Sequence, residues 1–430
     1  MIRFFLILVT GICVNFFYFP VEFVFLPGIN TKMMEAVVGL VCVAWELIRR
    51  RSLDVSRGFL LLVASAASVS VASLLSITIN HTPDAAYVTY LVSFSVWLSA
   101  AFAVCYLIKA VHGTINVPLV LNYLVTVCLV QGIFALWIDS SPSFSRRVDA
   151  IFLCGQEVAR SVNRLYGIGA LLDVAGLRFS VVLVGLAFYL TEVIKPLLPW
   201  ERRFYIVAFL AISVIGNMIA RTTLVGTGIG AVVIMAFLLF KLNDPDAPRQ
   251  SILFSWFGLL TIGLIFCIVL YNTNQNARAN FRFAFEGFFS LAEKGRWEIS
   301  STEVLKSMVI WPETIHTWLI GDGYFENSRN DINYLGDSTD AGFYMGTDVG
   351  YLRFLFYFGI VGLIPMMSVI IGAAVVCFSY FKRERFLFLL ALAVGLIGWV
   401  KVSTDIFCFF ALFLSAAALQ DVKDNPDVSR

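Results

Sequence analysis

Long apolar runs recur along the whole chain and limit what it can fold into. Each run is roughly 20 residues long, and charged or turn residues separate it from the next. Of the 430 residues, 59% are hydrophobic and only 14% are charged, with a mean hydropathy of +0.85. Soluble domains are nearer about 45–50% apolar and about 25% charged. The sequence therefore predicts an all-α polytopic membrane protein, with residues 1–430 forming one integral membrane domain.

The charged and turn residues divide the chain into about twelve predicted transmembrane helices. The predicted spans are Phe4–Phe25, Met33–Ile48, Gly58–Ile79, Tyr87–Ile108, Val117–Ile138, Gly176–Ile194, Phe204–Ala220, Thr223–Phe240, Ile252–Tyr271, Val349–Phe378, Phe386–Val400 and Ile406–Leu419. The first run continues past signal-peptide length without a small-residue cleavage site, so we expect it to stay as a span. Two polar inserts interrupt the series, at residues 139–175 and 272–347, and the larger lies between the ninth and tenth spans.

Basic residues cluster in short loops on one predicted side of the membrane. The clusters are Arg49–Arg51, Lys195 with Arg202 and Arg203, Lys241 with Arg249, and Lys382 and Arg383 with Arg385. Short cytoplasmic loops carry an excess of Lys and Arg, so this pattern predicts that both termini are cytoplasmic. Both inserts then face outward.

Several classes of function find no support in the sequence. The net charge of +2 comes without a basic run, which argues against a nucleic-acid partner. Most of the eight cysteines lie within apolar runs, and no disulfide framework can be read. The chain has no GxxxxGK[ST] phosphate loop and no His/Cys/Asp cluster with metal-ligand spacing. We therefore expect no ATP-driven chemistry, no metal and no cofactor.

Arginine strongly outnumbers lysine in the segments predicted to face outward. The planar guanidinium of arginine can donate two parallel hydrogen bonds to a phosphate or carboxylate, so the bias predicts an anionic ligand. The arginines in these segments are Arg146, Arg147, Arg160, Arg164, Arg178, Arg221, Arg278, Arg282, Arg296, Arg329 and Arg353.

Arg221 is the most informative of these arginines. It lies in NMIARTTLVGTG, at a tight turn between two predicted spans, where a charge is costly unless it faces protein or water. One interpretation is a phosphate ligand near the outer leaflet. The alternative is an interfacial arginine that extends to lipid headgroups.

The large insert begins with a periodic set of charges. Arg278, Arg282 and Glu286 recur every four residues, so they share one face if this segment is helical. They can contribute to a ligand site. An amphipathic helix at the membrane interface with a local ion pair is the alternative, and it is compatible with the first.

Polar residues at the end of the large insert are candidates for catalysis. Asp348 lies at the predicted start of the tenth span, where either it or Thr347 could cap the helix. Arg353 follows on the first turn, where a cation is unfavourable to the helix dipole, which predicts an anionic partner: Asp348 or a ligand. His316 is a lone histidine in the insert, either structural or catalytic.

The segments ARTTL, LIGDGYF and TDVGYLRFLFYFGIVGLI resemble the bacterial O-antigen polymerase family. The plan of about a dozen spans with two outer inserts is also similar to that family, and to O-antigen ligases and other C-type membrane glycosyltransferases. Ligases of this type carry a histidine in the large loop close to the following span. Here Asp348 occupies that neighbourhood and His316 lies well upstream, which favours a polymerase.

The resemblance implies a glycosyltransferase that needs neither metal nor nucleotide. It would polymerise oligosaccharide repeats carried on undecaprenyl diphosphate at the periplasmic face of the bacterial inner membrane. Its expected partners are these lipid-linked oligosaccharides, membrane lipid and a chain-length regulator protein. The expected diphosphate ligands are Arg221, Arg278, Arg282 and Arg353, the candidate bases are Asp348, Glu286 and His316 in that order, and the candidate sugar-stacking residues are Tyr351, Trp297 and Trp311, with interface anchoring the alternative role for the two tryptophans.

Two rival functions remain open at this point. A ligase would transfer finished polymer to lipid A–core. A transporter or lipid flippase, which is not an enzyme, predicts polar residues along a path through the spans. Asn122, Gln131 and Asn217 are the modest candidates, and interhelical hydrogen bonds explain them equally well.

Overall fold

The computed structural model describes residues 2–50, 56–162, 164–191, 197–242, 249–326, 342–404 and 406–420. Arg51, Lys195 and Arg329 of the sequence predictions, and residues 327–341 of the large insert, lie outside these ranges. The first nine helices are α1 (Ile2–Tyr18), α2 (Thr31–Arg50), α3 (Arg57–Asn80), α4 (Tyr90–His112), α5 (Val117–Ser140), α6 (Pro142–Ile151), α7 (Gln156–Ser161), α8 (Leu172–Leu190) and α9 (Pro199–Ile219). The others are α10 (Thr223–Leu242), α11 (Arg249–Thr273), α12 (Gln275–Ala284), α13 (Glu286–Lys294), α14 (Ser300–Ser307), α15 (Ile315–Leu319), α16 (Gly350–Tyr380), α17 (Arg385–Gly398) and α18 (Phe407–Leu419).

The predicted class of a helical, multi-pass membrane protein is confirmed. Within the described ranges, 8 helices are long and apolar enough to cross a membrane: α3, α4, α5, α8, α9, α10, α11 and α16. Three shorter apolar helices are α1, α17 and α18. Every predicted span overlaps one helix, with α2 corresponding to the second. The full count of about twelve spans stays a prediction.

Three short strands, which the sequence did not predict, form a small sheet beside the helices. The strands are β1 (Glu22–Phe23), β2 (Leu26–Asn30) and β3 (Phe152–Leu153), in the order β2-β1-β3 and antiparallel. The predicted first span ran to Phe25, but α1 ends at Tyr18. Pro20 explains the early end, since proline disfavours helical backbone at the residue before it and lacks its own N–H. The sheet ties the chain after α1 to the first insert.

Two helices form the centre of the bundle. Every residue of α8 from Ala175 to Leu190 is buried, and so is most of α18. Helices α5, α9, α10 and α17 pack around α8, while α4, α5 and α16 pack around α18. The site described below is built at the ends of these central helices.

Helix α16 is interrupted near its first third, and a segment of the large insert fills the gap. Gly359 has φ 60° and ψ −163°, a conformation essentially restricted to glycine. The N–H of Asp322 donates to the carbonyl oxygen of Phe356 at 2.6 Å, and that of Gly323 donates to Tyr357 at 3.2 Å. The LIGDGYF segment therefore donates to the carbonyl groups at the break, and the Ser76 hydroxyl also donates to that of Tyr357, at 2.7 Å.

The short loop after α3 holds the same segment from the other side. The Asn80 amide donates to the carbonyl of Gly321 at 3.0 Å, and the Thr82 hydroxyl donates to that of Gly323 at 2.8 Å. An Asp84 carboxylate oxygen accepts from the N–H of Phe325 at 2.7 Å. These contacts fix the path by which the large insert reaches the start of α16.

We expect Gly359→Ala to destabilise the protein strongly. A Cβ at this position would lie 2.3 Å from the carbonyl group of Leu319, and the backbone conformation itself costs about 1–3 kcal/mol for other residues. The thermal midpoint of the purified variant, followed by size-exclusion chromatography after heating, checks this. Gly372→Ala on the same helix is the control, because its Cβ would meet only Leu62, at 3.5 Å. Equal midpoints for the two variants would contradict the expectation.

Candidate functional site

Arg221 lies in the short turn between α9, which ends at Ile219, and α10, which begins at Thr223, and it joins this turn to the large insert. Its Nη1 lies 2.7 Å from a carboxylate oxygen of Glu286, and its Nε donates to the carbonyl of Phe283 at 3.0 Å. The guanidinium lies 4.1 Å from the centroid of the Phe283 ring. Its Nη2 has no acceptor among the described residues, so two N–H donors remain for a ligand.

Burial and a neighbouring carboxylate have opposite effects on the pKa of Arg221. Burial lowers the pKa of Arg221, while the neighbouring Glu286 carboxylate raises it. Glu286 is itself held by the Ser300 N–H and hydroxyl, at 3.2 and 3.0 Å. Only 13% of the Arg221 side chain is exposed, so the guanidinium is held in one place before any ligand arrives.

Arg278 and Arg282 lie on the same helix, α12, as the predicted shared face requires, but Glu286 lies on the next helix. Phe285 leaves the helical conformation, so α12 ends at Ala284 and α13 begins at Glu286. Arg282 consequently pairs with Glu293 at 2.8 Å, while Glu286 pairs with Arg221. Because of this break, Glu286 pairs with Arg221, which is distant in sequence, and not with a neighbouring arginine on α12.

Two clefts flank the Arg221–Glu286 pair, and they differ in charge. The larger, about 660 Å³, is lined by three basic residues and four glutamates: Arg221, Arg282, Lys294, Glu286, Glu293, Glu298 and Glu303. The smaller, about 460 Å³, has Arg221 and Lys401 as its basic residues and Glu286 as its acidic one. Its remaining lining is largely apolar, from α10, α13 and α17. Charge favours the smaller cleft for an anion.

Asp173, in the first turn of α8, connects the smaller cleft to the first insert. Its carboxylate accepts from the Lys401 ammonium at 3.1 Å and lies 3.8 Å from the Arg164 guanidinium. The Thr222 hydroxyl, next to Arg221, also donates to Asp173, at 3.3 Å to the carboxylate. Arg164 in turn lies 5.1 Å from the centroid of the Phe283 ring. Both inserts, the Arg221 turn and the chain after α17 therefore meet at one end of the bundle.

Asp348 lies in this same region and does not cap α16. The cap residue is Val349, with no side-chain hydrogen bond, so the capping interpretation is wrong. Burial raises the pKa of Asp348 to about 6, and the negative charge of Asp173 adds to the rise, while Arg353 and Lys401 oppose it. About 27% of the side chain is exposed. A carboxylate of this kind is half ionised near pH 6 and can accept a proton at neutral pH.

Arg353 has the anionic partner that its helix position predicted. It lies 4.0 Å from Asp348 and donates to the Ser403 hydroxyl at 3.1 Å and the Phe325 carbonyl at 3.3 Å. The rings of Phe325 and Phe343 cover the guanidinium at 3.8 and 4.2 Å. With 7% exposure, Arg353 positions Asp348 and the LIGDGYF segment.

The other predicted site residues lie outside this cluster or at its edge. Arg278 is exposed, and its guanidinium lies 5.0 Å from the centroid of the Tyr271 ring. His316 is exposed on α15, where its electrostatic effect lowers the pKa of Asp322 against the larger rise that burial causes. Tyr351 donates its hydroxyl to the Leu396 carbonyl at 2.7 Å, and Trp311 stacks on Trp318. Trp297 is the aromatic candidate that lines the smaller cleft, where it packs over Gly287.

Sequence reasoning missed Asp173 and Lys401. Lys401 lies in WVKVSTD, a short stretch between two predicted spans on the outward side. The argument that singled out Arg221, a charge at a tight turn between spans, applies equally there. Asp173 was visible as the polar end of the first insert, but its partners are distant in sequence and could not be read from it.

Among the described residues, no group of three His, Cys, Asp or Glu side chains is placed to hold a metal ion. Comparison with protein-family models, curated proteins and solved structures finds no match to the chain.

Proposed function

We propose that this protein is a glycosyltransferase that polymerises oligosaccharide repeats carried on undecaprenyl diphosphate. It acts at the periplasmic face of a bacterial inner membrane, with both termini in the cytoplasm and both inserts in the periplasm. The substrates are two lipid-linked oligosaccharides, and the product is a longer chain on one lipid carrier. The sugar–diphosphate bond supplies the leaving group, so the reaction uses no nucleotide.

The amphiphilic character of the smaller cleft is the observation that carries this proposal. Arg221 and Lys401 lie on its polar side. Phe288, Ile397 and Val400 line it and remain 57%, 48% and 52% exposed, an apolar rim beside membrane-crossing α10. An anionic head group attached to a long hydrocarbon chain matches both halves of this lining. A soluble sugar nucleotide would leave the apolar rim uncovered.

The proposed roles follow from this placement. Arg221, through its two remaining N–H donors, and Lys401 stabilise the negative charge that develops on the departing diphosphate. Asp348 accepts the proton of the acceptor hydroxyl as that oxygen attacks the anomeric carbon and the sugar–phosphate bond breaks. Arg353 and Asp173 position these groups. Glu286, paired with Arg221, is the second candidate base.

Supplying purified protein with lipid-linked repeats alone tests the proposal. Products of increasing length, resolved on a gel, are expected. Transfer that occurs only when lipid A–core is added would identify a ligase instead. Movement of lipid-linked sugar across a vesicle membrane without any longer product would identify a transporter.

Two substitutions next to Asp348 are expected to move the pH profile in opposite directions. The wild-type rate should rise with pH through about 6, because Asp348 must be ionised to accept a proton. Asp173→Asn removes a nearby negative charge, which lowers the pKa of Asp348 and moves the rise to lower pH. Lys401→Met removes a positive charge and moves it to higher pH. Initial rates from about pH 5 to 8, a range that includes the Asp348 pKa of about 6, measure both shifts. Parallel shifts, or none, would exclude Asp348 as the titrating group.

A further inference from the structure

Arg178 is a buried arginine that the proposed reaction does not use. It is the seventh residue of α8, about 9 Å along the helix from its start, and only 8% of it is exposed. Its guanidinium faces the rings of Tyr18, Phe19 and Trp97, at 6.0, 5.8 and 5.6 Å. These rings belong to α1, the residue after it, and α4. Arg178 therefore lies inside the bundle, within a helix that is apolar enough to cross a membrane.

The charge of Arg178 is not balanced by the protein groups around it. Within the described ranges, no carboxylate lies at ion-pair distance, and its buried Nε has no hydrogen-bond acceptor. The three rings lie near the outer limit, about 6 Å, at which a cation gains from an aromatic face. Arg353, by contrast, has a ring at 3.8 Å, two acceptors and a carboxylate. A buried charge without a partner is costly, and in a membrane protein it points to a ligand.

A second cation lies beside the same indole ring. The Lys32 ammonium, in the first turn of α2, is 4.1 Å from the centroid of Trp97. The two positive groups thus share one aromatic neighbour, between α1, α2, α4 and α8. A planar guanidinium suits a phosphate-type oxyanion, which offers several acceptor oxygens.

This region is separate from the cleft beside Arg221. A Cβ on Gly176 would touch the Thr222 hydroxyl, so this face of α8 packs against the Arg221 turn. Arg178 is two positions further on, about 200° around the helix. The two sites lie on opposite faces of α8.

We propose that Arg178 binds a phosphate-type oxyanion in the interior of the bundle. The anion supplies the missing partner of the guanidinium and tightens the contact of α1 and α4 with α8. Its source is either a lipid headgroup or a soluble phosphate compound. The inference does not depend on the proposed glycosyltransfer, since it concerns binding at a different place.

Thermal unfolding of the purified protein in phosphate-free maltoside micelles tests this. Sodium pyrophosphate, compared with sodium chloride of equal ionic strength, probes a soluble anion. Micelles containing phosphatidylglycerol, compared with diacylglycerol, probe a lipid headgroup. We expect at least one of them to raise the wild-type midpoint by about 3 °C or more, and the responding probe identifies the source.

In an Arg221→Ala background, which removes the guanidinium of the other proposed anion site, Arg178→Met should abolish this rise without lowering the midpoint measured in the absence of anion. Replacing an uncompensated buried charge by an apolar side chain of similar length is neutral or stabilising. Arg178→Lys should retain less than half of the rise, because lysine keeps the positive charge but lacks the planar guanidinium that donates two parallel hydrogen bonds. Arg147→Met on exposed α6 changes the net charge equally and should keep the full rise.

Three results would overturn the proposal. The first is a wild-type midpoint that neither probe raises. The second is an Arg178→Met variant that keeps the rise. The third is an Arg178→Met variant that is less stable than wild type without anion, or too unstable to purify, because the aromatic rings would then be the partners that matter.

Discussion

Arg221→Ala is expected to abolish chain elongation and leave the protein folded in the membrane. The substitution removes the two N–H donors of Nη2, which have no acceptor among the described residues, together with the positive charge that we propose lies next to the departing diphosphate. Losing one such donor group lowers a turnover rate by about 10²–10³-fold, enough to remove long products from a gel. The ion pair with Glu286 is partly exposed, so its loss costs only about 1–2 kcal/mol of stability.

Arg221→Lys separates charge from geometry in the same experiment. Lysine keeps the positive charge, but it cannot bond the Phe283 carbonyl and Glu286 and still offer a second edge to a ligand. We expect elongation to stay well below wild type. Arg278→Ala is the matched control, because Arg278 is exposed and lines neither cleft. A normal ladder of long products from Arg221→Ala, at wild-type protein level, would remove Arg221 from the mechanism.

Much of the fold could be predicted because a membrane-spanning helix requires a long apolar segment, and such segments are visible in the sequence. Apolar runs of about 20 residues mark each long helix, and the polar inserts at residues 139–175 and 272–347 end within a few residues of the observed helix ends. The early end of α1 and its small sheet were missed because the residues around Pro20 are as apolar as the helix before them. The break at Gly359 was hidden in the same way, since hydropathy does not report backbone conformation.

The candidate site could be predicted only where a single residue was unusual by itself. Arg221 was identified because a charge at a turn between spans is energetically costly unless it contacts protein, water or a ligand. Its partnership with Glu286 was not, because the break at Phe285 decides where Glu286 points. The Asp173–Lys401 contact joins residues 228 positions apart, and no local pattern encodes it. The local sequence identifies residues whose charge is energetically costly near a membrane, whereas the packing of the helix ends decides which of these residues contact each other.

Asp348→Asn should reduce elongation by about 10²–10⁴-fold at pH 7.5, the range that a general base contributes. Burial raises the pKa of Asp348 to about 6, so the protonated acid predominates below that pH and the carboxylate above it. The wild-type rate should therefore fall as the pH drops through about 6, while the asparagine variant, which cannot ionise there, should give a low and flat profile. Initial rates of lipid-linked repeat consumption across this range measure both.

Glu293→Gln is the control for this substitution. Glu293 lines the larger, acidic cleft and pairs with exposed Arg282, so its loss should leave both the rate and the pH profile unchanged. Asp348→Glu keeps a carboxylate but lengthens the side chain in a half-buried position, and should recover part of the rate. An asparagine variant with the wild-type rate, or with the rise near pH 6 intact, would assign the base to another group. Glu286 is then the next to test, since its carboxylate already lies 2.7 Å from Arg221 at the edge of both clefts.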